Sequence, residues 1–231
     1  METSYSQWCK LQFAKEITEL EPDIRNIVEQ AFTNVNEQFW HAPASSTGKY
    51  HPLYACGDGG VARHTLAAVH FCKRAFISIG DLTKEERDIV IAAMLLHDTC
   101  KSGLHFESQY TVFEHPILVK WLYTPKNTAD SAIWAQIITT CASHMGRWNT
   151  PSERDLQYRK NEILKVFQAY SSLNNDIFSA CASQQIQYMS LPKPKTKLQK
   201  IVANSDYTAA DKECMLQMFD SQQGAWQHVV R

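Results

Sequence analysis

Apolar residues recur at intervals of three and four along nearly the whole chain, and this spacing limits the fold more than any other feature. Such intervals place side chains on one face of an α-helix. No run of alternating apolar and polar residues longer than about five favours a β-strand. We therefore predict an all-α protein. At 231 residues, the chain is expected to form a single domain, residues 1–231.

Charge and apolar run length exclude two classes of protein. Lys and Arg number 23 against 24 Asp and Glu, for a formal charge of −1, and no block of like charges favours a non-specific polyanion binder. The longest apolar stretch, Ile89 to Leu96, is far shorter than the roughly 18 residues of a membrane span, so no membrane association is expected. The N-terminus lacks the features of a secretory signal, which predicts a cytoplasmic protein.

The seven cysteines point to a reducing environment. Their number is odd, they are scattered, and no C-x-x-C pair occurs among them. We predict neither a disulfide framework nor a zinc–thiolate site, and we expect most cysteines to be small core residues.

Start and stop signals divide the helical pattern into segments. A first helix is predicted to begin at about Pro22 and to follow one apolar stripe to Phe39, stopping before Pro43. The turn-rich segment 42–60 is predicted to be an ordered loop. A second helix is predicted from about Val61 to Ile79.

The second half of the chain continues this pattern. Thr83 and Glu86 form a capping-box sequence, which opens a predicted helix that ends at His97 and Asp98. Further helices are predicted from around Asp130 to Gly146 and from near Lys197, with one or two polar helices between them in residues 152–190.

Five ionisable residues lie on, or at the end of, apolar helical stripes: His64, His97, Asp98, His144 and Asp206. Burying an unpaired carboxylate costs several kcal/mol. A divalent metal ion satisfies imidazoles and carboxylates together, so one bound ion would explain all five. Taken singly, each histidine also fits a hydrogen-bonded core residue and each aspartate a helix cap.

These residues occur within five short motifs in a fixed order. The motifs are Gly59-Gly60-Val-Ala-Arg-His64-Thr, Leu95-Leu96-His97-Asp98-Thr-Cys-Lys101-Ser-Gly103, Tyr110-Thr-Val-Phe-Glu-His115-Pro, Ser143-His144-Met145-Gly146 and Ala203-Asn-Ser-Asp206. In this order the chain resembles the HD-domain metal-dependent phosphohydrolase superfamily. It is most similar to HD domains of the bacterial 3′-to-5′ exoribonuclease type and to uncharacterised, often phage-borne, HD proteins.

The resemblance implies an HD-domain helical bundle with a core at about 47–212. An N-terminal helix precedes the core, and residues 152–190 form a helical insertion before the last metal-ligand helix. Homodimers are frequent among HD relatives and are compatible with this chain. Its likeness to phage-borne proteins leaves open that it is phage-encoded and acts in the host cytoplasm.

The resemblance also implies a set of metal ligands. His64, His97, Asp98 and Asp206 would hold a first divalent ion, and His115 and His144 would hold a second, with Asp98 as the bridge. Mn, Fe, Mg, Co and Zn all suit oxygen and nitrogen ligands, and one or two ions are expected. Met145 stands where HD proteins with two ions often have a second histidine, which leaves the filling of the second position open.

Catalysis would use water as the nucleophile, activated at the metal centre beside Asp98. Lys101 is the predicted catalytic cation that neutralises charge developing on the phosphate oxygens. A solvated lysine completing a helix C-terminus is the alternative interpretation of this residue.

Five residues are predicted to bind the substrate. Lys49, Tyr50 and His51 lie in the loop before the first motif, and Arg147 and Trp148 directly follow the fourth. Cationic and aromatic side chains together suit a nucleotide, although ordinary loop packing would also account for each of them. His41, His70, His105 and His228 match no motif and are predicted to be structural.

The predicted function is hydrolysis of a nucleotide phosphoester, either a nucleoside phosphate or a small phosphodiester. The near-neutral charge favours a small-molecule nucleotide over a long polymer. A 3′-to-5′ exonuclease acting on short single-stranded nucleic acid, a di-iron HD-type oxygenase and a non-catalytic nucleotide-binding module are the alternatives.

Overall fold

Every regular element in the described part of the chain is helical, which confirms the all-α prediction. The computed structural model describes residues 5–45, 51–106, 108–109, 111–112, 114–146 and 191–211. The α-helices in these residues are α1 (Tyr5–Thr18), α2 (Pro22–Phe32), α3 (Gly60–Ile79), α4 (Lys84–Leu96), α5 (His115–Leu118), α6 (Thr128–Ala142) and α7 (Lys197–Ala210). Short 3₁₀ helices span Glu37–Trp40, Leu53–Ala55 and Val119–Leu122.

Helix α4 lies at the centre of the bundle. It contacts α3, α6 and α7, and α3 packs extensively against α7. All residues from Asp88 to Leu96 are buried, as expected for a helix that is covered on every side. Because α4 ends in the middle of the protein, the residues that directly follow it are delivered to the interior.

The predicted capping box fixes the start of α4. The Thr83 hydroxyl accepts from the Glu86 backbone N–H at 3.1 Å, and the Thr83 N–H donates to the Glu86 carboxylate at 2.8 Å. A second capping box, formed by Thr196 and Gln199, opens α7. Both helices therefore begin within a residue or two of where the sequence places them.

The prediction of one helix from Pro22 to before Pro43 is wrong in its second half. Helix α2 ends at Phe32, and Asn36 caps a separate 3₁₀ helix by accepting from the Gln38 N–H at 2.9 Å. The turn brings Phe39 and Trp40 against Phe13 of α1, with ring centroids 5.7 and 5.0 Å away. Helix α1 lies outside the predicted helices, so the aromatic partners that favour this turn could not be anticipated.

The described part of the loop before α3 is ordered, as predicted. The buried Arg63 guanidinium donates to the backbone carbonyls of Tyr54 (2.6 Å), Cys56 (2.9 Å) and Asp58. A Cβ on Gly60 would lie 2.1 Å from the Ala55 carbonyl oxygen, so only glycine fits there. These contacts hold the loop against the helix that carries His64.

Other sequence predictions have mixed outcomes. The described cysteines are all free, and Cys9, Cys72, Cys100 and Cys141 are buried, while Cys181 and Cys214 lie outside the described residues. Residues 152–190, the predicted insertion, also lie outside them. Among the described helices, none has the length and apolar character required to cross a membrane. The division into one domain stays a prediction.

Candidate metal centre

Six side chains from five separate segments meet in the interior of the bundle. His64 comes from α3, His97 and Asp98 follow α4, His115 begins α5, His144 follows α6, and Asp206 lies on α7. Five of them are at most 3% exposed, and the Asp206 side chain is 20% exposed. They form three overlapping triads, His64–His97–Asp98, His97–His144–Asp206 and Asp98–His115–His144, and within each triad the ligand atoms lie within 4.8 Å of one another.

His144 reaches this cluster differently from the prediction. Helix α6 ends at Ala142, so His144 lies in the turn after the helix and not on its last turn. The turn ends at Gly146, whose φ is +52°. The inward direction predicted for the side chain is nevertheless confirmed, since His144 is 3% exposed.

Three of the four histidines share one hydrogen-bonding arrangement. In each, Nδ1 lies close to the backbone carbonyl oxygen three residues earlier. A carbonyl only accepts, so Nδ1 carries the proton, and Nε2 of the neutral ring is left with a lone pair that can bind a cation. The pairs are His97 with Met94 (2.7 Å), His115 with Val112 (2.6 Å) and His144 with Cys141 (2.8 Å).

Asp98 lies between two pairs of imidazoles. Its Oδ1 is 3.1 Å from Nε2 of His115 and 3.8 Å from that of His144. Its Oδ2 is 3.5 Å from Nε2 of His97 and 3.9 Å from that of His64. One carboxylate thus faces both halves of the cluster.

Asp206 completes the half that contains His64 and His97. Its Oδ1 lies 2.8 Å from Nε2 of His64 and 3.5 Å from Nε2 of His97. With Asp98, this half has two carboxylates and two imidazoles.

Two contacts show that this cluster fits a bound cation. Nε2 of His115 and Nε2 of His144 are 3.3 Å apart, so two lone pairs face each other when both rings are neutral. Nε2 of His97 is buried, and both carboxylate oxygens near it are 3.5 Å away, which is longer than a normal hydrogen bond. Nitrogen and oxygen donors without thiolate suit a divalent metal ion.

The electrostatic balance also favours positive charge in the cluster. Burial opposes ionisation of Asp98, but Lys101 and His97 outweigh it and hold the pKa of Asp98 well below its usual value. The pKa of Asp206 is likewise held low against burial, by the His64 imidazole at 2.8 Å and by His97 beside it. Two buried anions side by side require a cation to compensate them.

The two central histidines respond oppositely to this environment. Burial lowers the pKa of His97, but Asp98 and Asp206 outweigh burial and raise it above 6.5. Burial and then His97 lower the pKa of His144 to about 3. His144 is therefore neutral at physiological pH and has its Nε2 lone pair available.

Lys101 is held at Asp98 and is not a solvated side chain. Its Nζ is 2.7 Å from Asp98 Oδ2, and the side chain is 13% exposed. A group bound at Asp98 would therefore lie close to the Lys101 ammonium. A role in catalysis stays a prediction.

Of the five predicted substrate-binding residues, His51 is described. Its ring packs edge-on against His64, with centroids 4.8 Å apart. Burial and then His64 lower the pKa of His51 to about 2, so its ring is neutral. Lys49, Tyr50, Arg147 and Trp148 lie outside the described residues.

Tyr54 supports the cluster and was missed by sequence reasoning. Its buried hydroxyl donates to the Ala209 carbonyl at 2.9 Å and so joins the loop before α3 to the end of α7, which carries Asp206. A tyrosine in a loop has no sequence signal for such a contact, because the partner is 155 residues away.

A model of the HD-domain family matches residues 61–211, a span that contains all six residues of the cluster. The chain therefore belongs to the HD-domain family, whose members are generally metal-dependent phosphohydrolases. Searches among curated proteins and among solved structures found no significant match.

Proposed function

We propose that this protein is a metal-dependent phosphohydrolase that cleaves a nucleotide phosphoester, either a nucleoside phosphate or a small phosphodiester. The observation that carries the proposal is the position of Asp98, whose two oxygens face two different pairs of imidazoles. Such a carboxylate is suited to bridge two cations.

The side chains of the cluster would bind the metal ions, and Lys101 would balance charge on the substrate. His64, His97, Asp98 and Asp206 would hold one ion, and His115 and His144 would hold another with Asp98. Bound divalent ions would supply Lewis-acid activation of water and neutralisation of phosphate charge. The hydrogen bonds from Nδ1 keep three of the imidazoles oriented for this task without a change of tautomer.

Lys101 would balance charge on the substrate. Its ammonium already lies 2.7 Å from Asp98, so a phosphate bound at this carboxylate would be within its reach. Negative charge that develops on the phosphate oxygens would then be stabilised by a cation that is already in place. The same cation would stabilise negative charge on the leaving oxygen.

A nucleotide is the proposed substrate for two reasons. His51 packs directly against the cluster, and Lys49 and Tyr50 precede it in the sequence, while Arg147 and Trp148 follow Gly146. Cationic and aromatic side chains together suit a phosphate and a base. The net charge of −1 favours a small nucleotide over a long nucleic acid.

The test is metal analysis combined with a phosphate-release screen. Purified protein is assayed with Mn, Mg, Co, Fe or Zn on nucleoside monophosphates, a cyclic nucleotide and a labelled oligonucleotide, with and without oxygen. We expect release from a nucleotide without oxygen, and its loss in Asp98→Asn but not in Asp23→Asn, a control on the exposed surface of α2.

Other results would assign a different function. Cleavage of the oligonucleotide alone would favour the exonuclease, and iron-dependent turnover that requires oxygen would favour the oxygenase. Hydrolysis that survives Asp98→Asn would exclude the proposed site.

A further inference from the structure

A cavity of about 210 Å³ lies beside the metal centre, between the 3₁₀ helix Glu37–Trp40, the start of α3 and the turn after Asp98. Lys101 forms part of its wall, and the same side chain contacts Asp98. A smaller cavity shares Lys101 and Ser102 with it and reaches Asp98. A molecule with one end at Asp98 could therefore place its other end in this space.

The walls combine polar edges with an aromatic face. Gln38 and Gln109 are exposed amides, each of which offers a donor and an acceptor. Phe106 contributes a ring that is 39% exposed. Lys101 adds a positive charge, and no aspartate or glutamate lines this cavity among the described residues. A planar, uncharged ring with a polar edge, attached to an anionic group, matches this set.

The backbone at Phe106 is held in an unfavourable conformation. Its φ of +63° is the only positive value among the described non-glycine residues. The left-handed region is rare for a bulky side chain, and residues held there cluster at ligand-binding sites. This conformation presents the ring at the cavity.

The cavity suits one part of a ligand and not a whole one. Ligand pockets for drug-sized molecules usually enclose about 300–1,000 Å³, which exceeds the 210 Å³ found here. One end of a bound molecule would therefore lie in this space, and the rest would lie at the metal centre.

We propose that this cavity binds the base of the nucleotide, with Phe106 stacked on the ring and Gln38 and Gln109 bonded to its polar edge. The inference rests on the proposed function, because the phosphate of the same molecule would lie at Asp98 and Lys101.

The first experiment measures KM for CMP, AMP and ribose 5-phosphate, which carries no base. We expect both nucleotides to have a lower KM than ribose 5-phosphate. Phe106→Ala should raise the KM for the nucleotides about tenfold, and Gln38→Leu and Gln109→Leu about fivefold each. The KM for ribose 5-phosphate should not change in any variant. Gln136→Leu, an exposed glutamine on α6, is the matched control.

The second experiment does not depend on turnover. Binding of CMP and AMP to EDTA-treated protein is measured by calorimetry, with Phe106→Leu added to keep an apolar side chain without the aromatic face. Weaker binding of CMP and AMP in Phe106→Leu and in both glutamine variants supports the inference, even if no phosphate is released and the proposed function fails. Equal effects on the nucleotides and on ribose 5-phosphate, or no effect of these variants on the nucleotides, would overturn it. The wild-type melting temperature in each variant is the check that the protein is folded.

Discussion

The two halves of the metal centre share Asp98 but differ in charge. The half with His64 and His97 has a second carboxylate, Asp206, at 2.8 Å from His64. The half with His115 and His144 has Oδ1 of Asp98 at 3.1 and 3.8 Å, and Asp206 lies near His144 alone, with ligand atoms within 4.8 Å. A divalent cation is bound more tightly where more negative charge compensates it. We therefore expect the first half to fill at lower metal concentration than the second.

Replacing the shared ligand should have the largest effect. Asp98→Asn removes negative charge from both halves at once, so both ions and more than roughly a hundredfold of phosphate release should be lost. Metal content after gel filtration and the rate of phosphate release are the measurements. One ion retained at full affinity would show that Asp98 does not serve both halves.

Replacing Asp206 should affect the first half more than the second. Asp206→Asn keeps the size of the side chain but removes one of two anions, and we expect the tighter ion to be bound roughly a hundredfold more weakly. Competition with a fluorescent chelator measures the affinity. Asn204→Ala, an exposed change on the same helix, is the control. If only the weaker ion were affected, the ranking of the two halves would be reversed.

Replacing His115 should have a smaller effect. His115→Gln removes one neutral ligand from the second half, so the stoichiometry should fall toward one ion while the tight affinity changes by less than about tenfold. Titration of EDTA-treated protein with Mn or Zn by calorimetry gives both quantities. His70→Gln provides a histidine control outside the cluster. Loss of the tight ion would indicate one joint site and not two halves.

When the metal is removed, His144 and His97 should make opposite contributions to the pH dependence of the free energy of unfolding. His144 has a pKa lowered to about 3 from an ordinary 6.5, so below pH 6.5 the unfolded chain binds a proton that the folded protein does not. The free energy of unfolding should then fall with decreasing pH by up to about 1.4 kcal/mol per pH unit. His97 has a raised pKa, so its contribution is complete below pH 6.5 and is lost as pH rises above that value.

Two variants separate these contributions. In urea titrations of EDTA-treated protein, His144→Gln should flatten the dependence below pH 6.5, and His97→Gln should flatten it above pH 6.5. Identical profiles for the two variants would contradict the opposite pKa shifts.

Removing the hydrogen bond between Tyr54 and α7 should have the smallest effect. Tyr54→Phe deletes the hydroxyl that donates to the Ala209 carbonyl, which should cost about 1 kcal/mol of unfolding free energy. Because α7 carries Asp206, the affinity for the tight ion should fall a few fold while the weaker one is unchanged. Urea denaturation and the chelator assay measure these effects. Equal weakening of both ions would mean that Tyr54 supports the whole bundle and not one half.

Much of the fold could be predicted because its signals are local. Thr83 and Glu86 are three residues apart, and the apolar steps that define α3 and α4 are shorter than two turns. The break between α2 and the 3₁₀ helix could not be predicted in this way. The stripe continues through Val35 to Phe39 as if in one helix, and the turn is favoured by aromatic packing against Phe13, which is distant in the sequence.

The candidate ligands were predictable for a related reason. His64, His97, Asp98, His144 and Asp206 interrupt apolar stripes, and a buried ionisable group requires a partner. His115 came only from the resemblance to the HD-domain family, because α5 is too short to show a stripe. The cavity residues Gln38, Phe106 and Gln109 had no sequence signal, since exposed polar and aromatic side chains are common on any surface.

The sequence by itself determined the helical class, the capped start of α4, the approximate start of α7, and the residue types that could bind a cation, because each depends on neighbours within a few positions. Only the tertiary structure decided which oxygen of Asp98 faces which histidines, and that Lys101 lies between this carboxylate and a cavity. These relations depend on contacts between segments that are far apart in the chain, as are His64 and Asp206, which are separated by 142 residues, and no local pattern encodes them.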